Sequence, residues 1–539
     1  MDFISYMLGL SALGIYLHAI FVSITLGFPL AIMMLLYAYS KSRKPEYMTA
    51  ARIMSYVLAV NFALGAVTGT LVEFGLVQVW PGTIVAIASF LLAPLALELI
   101  AFANEAVFLI LFLVTLNRVR TSLSILILGI YWVFAVFSGY LITVVNSWLV
   151  APWGVGSIPN ALYPFLPDYG PMSTDPQKLV ALKILLLTTG LTLQDLLQIP
   201  GSSDLIGVIL KDPLVVFYSP YALASSLHNL VAAFIIGLSI ALLGYSYRLY
   251  RSGDLRYRDI IKAFFPILLI LILIQPTVLG DYMGVNVVEY NPVKFAMMEG
   301  AYTTFNNPLL ALIAYRDPNH PIVGFDRFYS SCDQLGNTTL GDLASKLGVS
   351  EEYLLNVASK LNLQIDRSKL ESVLSTKLSD ICRNDLEIAE SRTEIIHTAY
   401  YTKIAGGVLA FISAIAMAGV IYRIPVISPI SRGVLRILTG NDERKTIFLL
   451  ALLIGVGVAL AAVLGWYVRE AGRKPWTVYG LLYPSEVVTA VDYARTPQFV
   501  LLAGAIILGV NLGGIYAMYI VASRHARFTE LIERFFRKR

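Results

Sequence analysis

Nine apolar stretches, each long enough to cross a bilayer, constrain this chain more than any other feature. A spanning helix needs roughly 20 apolar residues, and windows of that length lie near 8–38, 53–73, 84–115, 122–145, 215–246, 261–280, 396–422, 446–468 and 496–523. Glu98 and Glu105 interrupt the third. Backbone polar groups in hydrocarbon find partners only inside a helix or a closed barrel, and runs of this length fit helices. The expected fold is an all-α polytopic membrane protein with about nine transmembrane helices. Charged residues are 14% of the chain, against about 25% in ordinary soluble domains, which excludes an ordinary soluble enzyme.

Lys and Arg accumulate in short cytoplasmic connections, and here they mark alternate ones. Lys41, Arg43, Lys44 and Arg52 follow the first stretch, Arg118 and Arg120 the third, and Arg248, Arg251, Arg256, Arg258 and Lys262 surround the turn after the fifth. Arg423, Arg432, Arg436, Arg444 and Lys445 separate the seventh from the eighth, and six Lys or Arg lie between Arg524 and Arg539. The N-terminus is then outside and the C-terminus cytoplasmic. The formal net charge of +5 follows from this layout and needs no nucleic-acid partner. The first apolar run exceeds the ~7–15 residues of a signal-peptide core and lacks a basic flank, so it is expected to stay as the first helix.

The chain divides into helices one to six (1–280), an external segment (281–395) and helices seven to nine (396–539). An external insertion, about 146–214, begins Asn146-Ser147-Trp148 and includes the apolar Leu179 to Leu197 with Lys183 and Asp195. That stretch reads as an amphipathic helix on the outer membrane interface, with a tenth span as the alternative. Segment 281–395 has soluble-domain composition, with helix-like periodicity from Ser345 to Glu394, and it holds both cysteines. Outside the cell disulfides persist, so a Cys332–Cys382 bridge is expected over two buried thiols. A third external segment, about 469–494, carries Glu470-Ala471-Gly472-Arg473-Lys474-Pro475-Trp476.

Ionisable side chains inside apolar runs are costly and mark functional sites by default. His18 is the only Asp, Glu, Lys, Arg or His between Asp2 and Lys41, and His228 the only one between Asp212 and Arg248. Imidazole is a common haem-iron ligand; the bland reading is a helix–helix hydrogen bond. Glu98 and Glu105, seven residues apart, share a helix face about 10 Å apart along the axis, as a proton relay requires, or they are simply hydrogen-bonded to neighbouring helices. Lys294 and Glu299 could hold a lipid-soluble ring by two polar edges, although a surface ion pair is the commoner use of such a pair.

Taken in order, these segments resemble subunit I of the cytochrome bd family of quinol oxidases. The resemblance runs from Tyr16-Leu17-His18 through Asn61-Phe62-Ala63, Gly65 to Gly69, Glu73-Phe74 and Ala93-Pro94, then Ser138, Asn146, Trp148 and Leu227-His228. It continues at Gly280-Asp281 and at Lys294 and Glu299, and closes with Gly465-Trp466, Glu470 and Gly472-Arg473-Lys474-Pro475-Trp476, the most specific string.

The resemblance implies three haems: a low-spin haem b, a high-spin haem b, and a haem d or another haem b in its place. His228 then matches the low-spin ligand, and His18 and Glu470 the axial ligands of the high-spin pair. Glu98 and Glu105, with Ser138, match the proton path, Trp466 a conduit near the haems, Arg473 a propionate partner, and Lys403 and Asn146 residues of the haem surroundings. Lys294 and Glu299 match the quinol site in the family's Q loop, segment 281–395. The implied reaction is oxidation of membrane quinol at the outer face with four-electron reduction of O2 to water, generating proton motive force without a pump. Implied partners are quinol, O2, the lipid bilayer, a second multi-helix subunit and, in some members, a small single-span one. The implied location is the cell membrane.

Two departures stand out. Where the family places a methionine as second low-spin ligand, two residues after a basic residue, Lys403-Ile404-Ala405 places alanine, which cannot ligate iron. His397, Met417, another subunit or an open position are the alternatives. The family's glutamate pair is spaced eight residues, not seven, so Glu105 aligns directly and Glu98 only through a gap. A proton-coupled transporter or channel, or an oxidase paralogue that has lost oxygen reduction, are the competing functions.

Overall fold

The computed structural model describes residues 3–202, 210–440 and 442–524; most of the basic C-terminal tail, with five of its six Lys or Arg, lies outside the described residues. Among them, nine helices are long and apolar enough to cross a membrane: Phe3–Ser42, Pro45–Val79, Ala93–Thr115, Thr121–Val150, Pro220–Ser252, Arg256–Tyr290, Thr393–Tyr422, Glu443–Ala471 and Pro497–Ser523. They are called spans one to nine here. Their starts carry ordinary stop and start chemistry. Pro220 and Pro497 occupy first-turn positions where the absent N–H costs nothing, and the Ser219 and Thr496 hydroxyls accept from the Ala222 and Phe499 N–H groups.

Span one is the central strut, packing against spans two, four, five and nine. Its contact with span five is backbone to backbone: a Cβ on Gly237 would stand 2.1 Å from the Ser23 carbonyl oxygen. Close approach through small residues is how helices associate when lipid removes the usual hydrophobic drive. Span six runs past the expected boundary at 280 to Tyr290. Pro276 does not end it, because the helix widens into a π turn over Gln275–Leu279. Such turns absorb a proline's missing hydrogen bond and recur at functional sites.

Two core clusters stack along the spans. The inner one joins Ala31, Leu35, Leu58, Phe112, Tyr131, Leu238, Phe264, Met417 and Ile447. The outer one joins Trp148, Tyr163, Tyr221, Phe295, Phe325, Ile396, Trp476 and Val487, and so knits the insertion, segment 281–395 and the third external segment into one cap. Within the cap Cys332 and Cys382 form a disulfide, as expected. The Arg383 guanidinium makes two 2.7 Å bonds to Asp333 beside it.

The stretch from Leu179 does not lie on the membrane surface. Pro176–Thr189 is a helix with Ala181, Leu182, Ile184, Leu185 and Leu186 all buried, sealed under the small helices Leu340–Lys346, Glu351–Lys360 and Arg367–Leu374 of segment 281–395. Its apolar residues surround it instead of forming one stripe, which is the pattern of a buried helix. It is too short to be a tenth span.

Candidate functional site

Thr68 determines what His18 can do. The Thr68 hydroxyl donates its single proton to the Gly65 carbonyl at 3.1 Å and lies 2.9 Å from His18 Nδ1. It therefore accepts from Nδ1–H, and Nε2 keeps its lone pair. That is the arrangement of a metal-ligating histidine, whose second nitrogen is fixed by an outer hydrogen bond. Gly69 presents only backbone to the ring, since a Cβ there would stand 3.1 Å from His18 Cε1.

His228 sits beside the π turn of span six. The Gln275 amide donates to the His228 carbonyl at 2.9 Å and lies 3.3 Å from Nδ1. The Leu279 backbone, Lys403 and Arg469 complete its surroundings. Neither intrachain candidate for the missing ligand stands there. Ala405 is exposed on span seven, Met417 is sealed in the inner core, and His397 is engaged elsewhere, its Nδ1–H donating to the Met298 carbonyl at 2.8 Å.

Glu470, at the C-terminal end of span eight, is ringed by cations. Arg473 Nη2 donates to Oε2 at 2.6 Å, while Oε1 is buried without a hydrogen bond and lies 3.9 Å from Arg469 Nε. Arg469, Arg473, Lys294 and Lys474 all act on this carboxylate. Among the described residues, Arg469 Nε and Nη2 and Arg473 Nε and Nη1 are buried without hydrogen-bond partners. Burial, with repulsion from Arg469, pulls the Lys294 ammonium down to about 7; burial, with Arg473, does the same to Lys474. Four buried cations around one anion are costly unless further anions enter. Two propionates per haem supply such anions, and the unpaired Glu470 oxygen supplies a ligand. The residues therefore fit haem. Arg469 also lies over the Trp466 ring, 5.1 Å to its centroid, and Asn146 keeps a buried, unpartnered Oδ1.

Lys294 and Glu299 are not brought together. Five residues apart on the helix Pro292–Glu299, they point to different sides. Lys294 Nζ donates to the Tyr221 hydroxyl at 3.1 Å within the cation cluster, whereas Glu299 accepts from Tyr401 at 2.7 Å near the surface. Burial raises the Glu299 carboxyl above its ordinary value, opposed by the Tyr401 bond and by His397.

On span three, Glu98 accepts from Ser138 at 3.1 Å. Glu105 is 4% exposed, interacts electrostatically with Glu98 and faces Tyr131. Glu73 of span two also acts on Glu98, adding a third carboxyl that sequence reading quoted without a role. Gln275 and Tyr401 were missed altogether and Thr68 was quoted only within the Gly65–Gly69 string; His18 and His228 announced themselves by charge in apolar runs.

The chain is 22% identical over 548 residues to the cytochrome bd-II ubiquinol oxidase subunit 1 of Escherichia coli (strain K12), covering 95% of this chain and 93% of that one. It is 30% identical over 163 residues to the cytochrome bd ubiquinol oxidase subunit 1 of Bacillus subtilis (strain 168), covering 30% and 34%. Its fold is similar to that of a chain of the bd oxidase from Geobacillus thermodenitrificans, with a TM-score of 0.65, 18% identity, and coverage of 97% and 99%. With the family model for cytochrome bd terminal oxidase subunit I matching residues 10–526, the chain belongs to that family.

Proposed function

We propose that this chain holds three haems, a low-spin b on His228 and a high-spin pair on His18 and Glu470, the pair being b with d or with a second b. Its family makes it a subunit of a terminal quinol oxidase of the cell membrane, a quinol:O2 oxidoreductase that works with a second subunit. A small single-span subunit is a further expected partner. The observation that carries the haem assignment is the cluster at Glu470, where buried guanidinium N–H groups find no acceptor among the described residues. When bound, haem supplies the electron-transfer and oxygen-reducing chemistry.

The chain's own residues do the rest. Thr68 fixes the His18 tautomer that leaves Nε2 free. Arg473 holds one Glu470 oxygen and leaves the other open. Arg469 and Arg473 meet propionates, with Asn146, Lys403 and Trp466 lining the haem surroundings. Lys294 reads as an electrostatic member of this cluster, at the boundary with the quinol site in the Q loop, to which Glu299 belongs. Glu98, held by Ser138, and Glu105 pass protons inward through the bundle; with the N-terminus outside and the C-terminus cytoplasmic, quinol protons leave at the cap. Residue 405 offers the low-spin haem no ligand.

The visible spectrum of the purified, dithionite-reduced complex tests this: haem bands are expected, and a colourless preparation overturns it.

A further inference from the structure

We infer that His397 and Glu299 are paired proton acceptors for the two hydroxyls of the quinol, His397 Nε2 taking one proton and the Glu299 carboxylate the other. The inference rests on the placement of the quinol site at Glu299. Oxidising a quinol releases two protons, and a carboxylate takes only one.

His397 is built as a second base. Its Nδ1 lies 2.8 Å from the Met298 carbonyl, which only accepts, so the proton sits on Nδ1 and the Nε2 lone pair is free. Nε2 has no hydrogen bond among the described residues. The ring packs on Gly300, the residue after Glu299: a Cβ there would stand 3.2 Å from His397 Nδ1, and Gly300 has φ +65°. This close approach places the imidazole within electrostatic reach of the Glu299 carboxylate. Tyr401, its ring 4.7 Å from that of His397, donates to Glu299 at 2.7 Å and fixes the carboxylate beside it.

The approach is apolar. His397, Tyr401, Ile404, Val408 and Ile412 follow one another on one face of span seven, and the last four are 45%, 39%, 50% and 60% exposed. A lipid-soluble ring moving along that stripe meets the two acceptors at its outer end. There both O–H bonds break: one proton goes to Nε2, giving an imidazolium, and the other to a carboxylate oxygen, giving a carboxylic acid. The ring gives up two electrons and leaves as quinone, and the oxidase reaction supplies O2 as their final acceptor. Both groups are partly exposed, so each proton can pass on to water.

The test uses the purified complex with His397→Gln and Glu299→Gln. Oxygen uptake is driven either by whichever of decylubiquinol and menadiol the parent enzyme turns over faster, or by tetramethyl-p-phenylenediamine, a donor without hydroxyl protons. Each variant is expected to lose about 100-fold in quinol kcat, the range of a positioned general base. Uptake from the amine donor and the reduced haem spectrum should stay unchanged. Loss of quinol turnover in Glu299→Gln alone overturns the pairing and keeps the quinol site. Normal quinol turnover in Glu299→Gln overturns the site assignment itself. Equal loss with both donors, or an altered haem spectrum, in His397→Gln shows that His397 acts on a haem and overturns its role as a base.

Discussion

A single hydroxyl in span two decides which nitrogen of His18 in span one is left free. Thr68 cannot donate to both Gly65 and His18, so Nε2 is the free nitrogen. Thr68→Val removes that constraint, and a lost outer-shell partner costs about 10- to 100-fold in metal affinity or activity. Haem content per protein, read from the pyridine haemochrome spectrum, should fall in Thr68→Val and recover in Thr68→Ser. At Glu299 the expected effect is on pH. Its carboxyl is raised by burial, and only the deprotonated form accepts a proton. Quinol oxidation should therefore fall as pH drops through a range above the ordinary carboxylate value. Tyr315, Tyr400 and Tyr401 face it and stay neutral there; His397 is its other titratable neighbour. The contribution of the Glu299 carboxyl to the acid limb of the kcat profile should be lost in Glu299→Gln. Sequence made His18 and His228 legible because charge in an apolar run needs a reason, and Glu470 through the family resemblance. It left Thr68, Gln275 and Gly300 silent, because a neutral side chain or a bare backbone makes no pattern until a neighbour faces it.

The elements are held by backbone contact in the membrane and by buried polar networks in the cap. Gly237 tests the first. With Ser23 O at 2.1 Å from a Cβ at that position, Gly237→Ala must push spans one and five apart, costing about 1–3 kcal/mol as overpacking does. Gly244→Ala, on the same span with nothing within 4 Å, should be neutral or slightly stabilising. Thermal inactivation of the two complexes compares them. Asp385 tests the second. It accepts from Tyr163 and, at 2.7 Å, from Tyr483, while Trp476 Nε1 donates to Tyr163 at 3.2 Å. Nearby, Lys183 bonds Glu486 at 2.6 Å. Asp385→Ala strands two tyrosine hydroxyls and should cost about 2–3 kcal/mol, seen as earlier proteolysis of the cap; Asp385→Asn, which keeps an acceptor, should recover most of it. The spans were readable from length and hydropathy alone. Pro176–Thr189 was misjudged because Lys183 in an apolar helix suggests an interface, whereas its partner Glu486 lies about 300 residues away in sequence.

At the scale of the whole molecule, ligands and proton acceptors converge from distant parts of the chain. The cation cluster takes Lys294 from segment 281–395 and Arg469, Glu470, Arg473 and Lys474 from the end of span eight and the segment after it. The inferred quinol acceptors join Glu299 to span seven. The cap is therefore continuous with the Glu470 cluster: its disulfide closes segment 281–395 on itself, and the Asp385 network ties that segment to the Trp476 loop. Composition and charge layout were enough for a polytopic membrane protein, and the Gly-Arg-Lys-Pro-Trp string carried the family. Which side of the helix each Q-loop residue takes depends on the turn at Gly300 and the packing of span seven, which spacing alone does not encode. Oxygen uptake by the purified complex, titrated with reduced quinol and monitored for peroxide, decides the assignment. Two quinols consumed per O2 with no peroxide released is the predicted result. A haem-loaded complex that leaves O2 untouched in the presence of reduced quinol would contradict it.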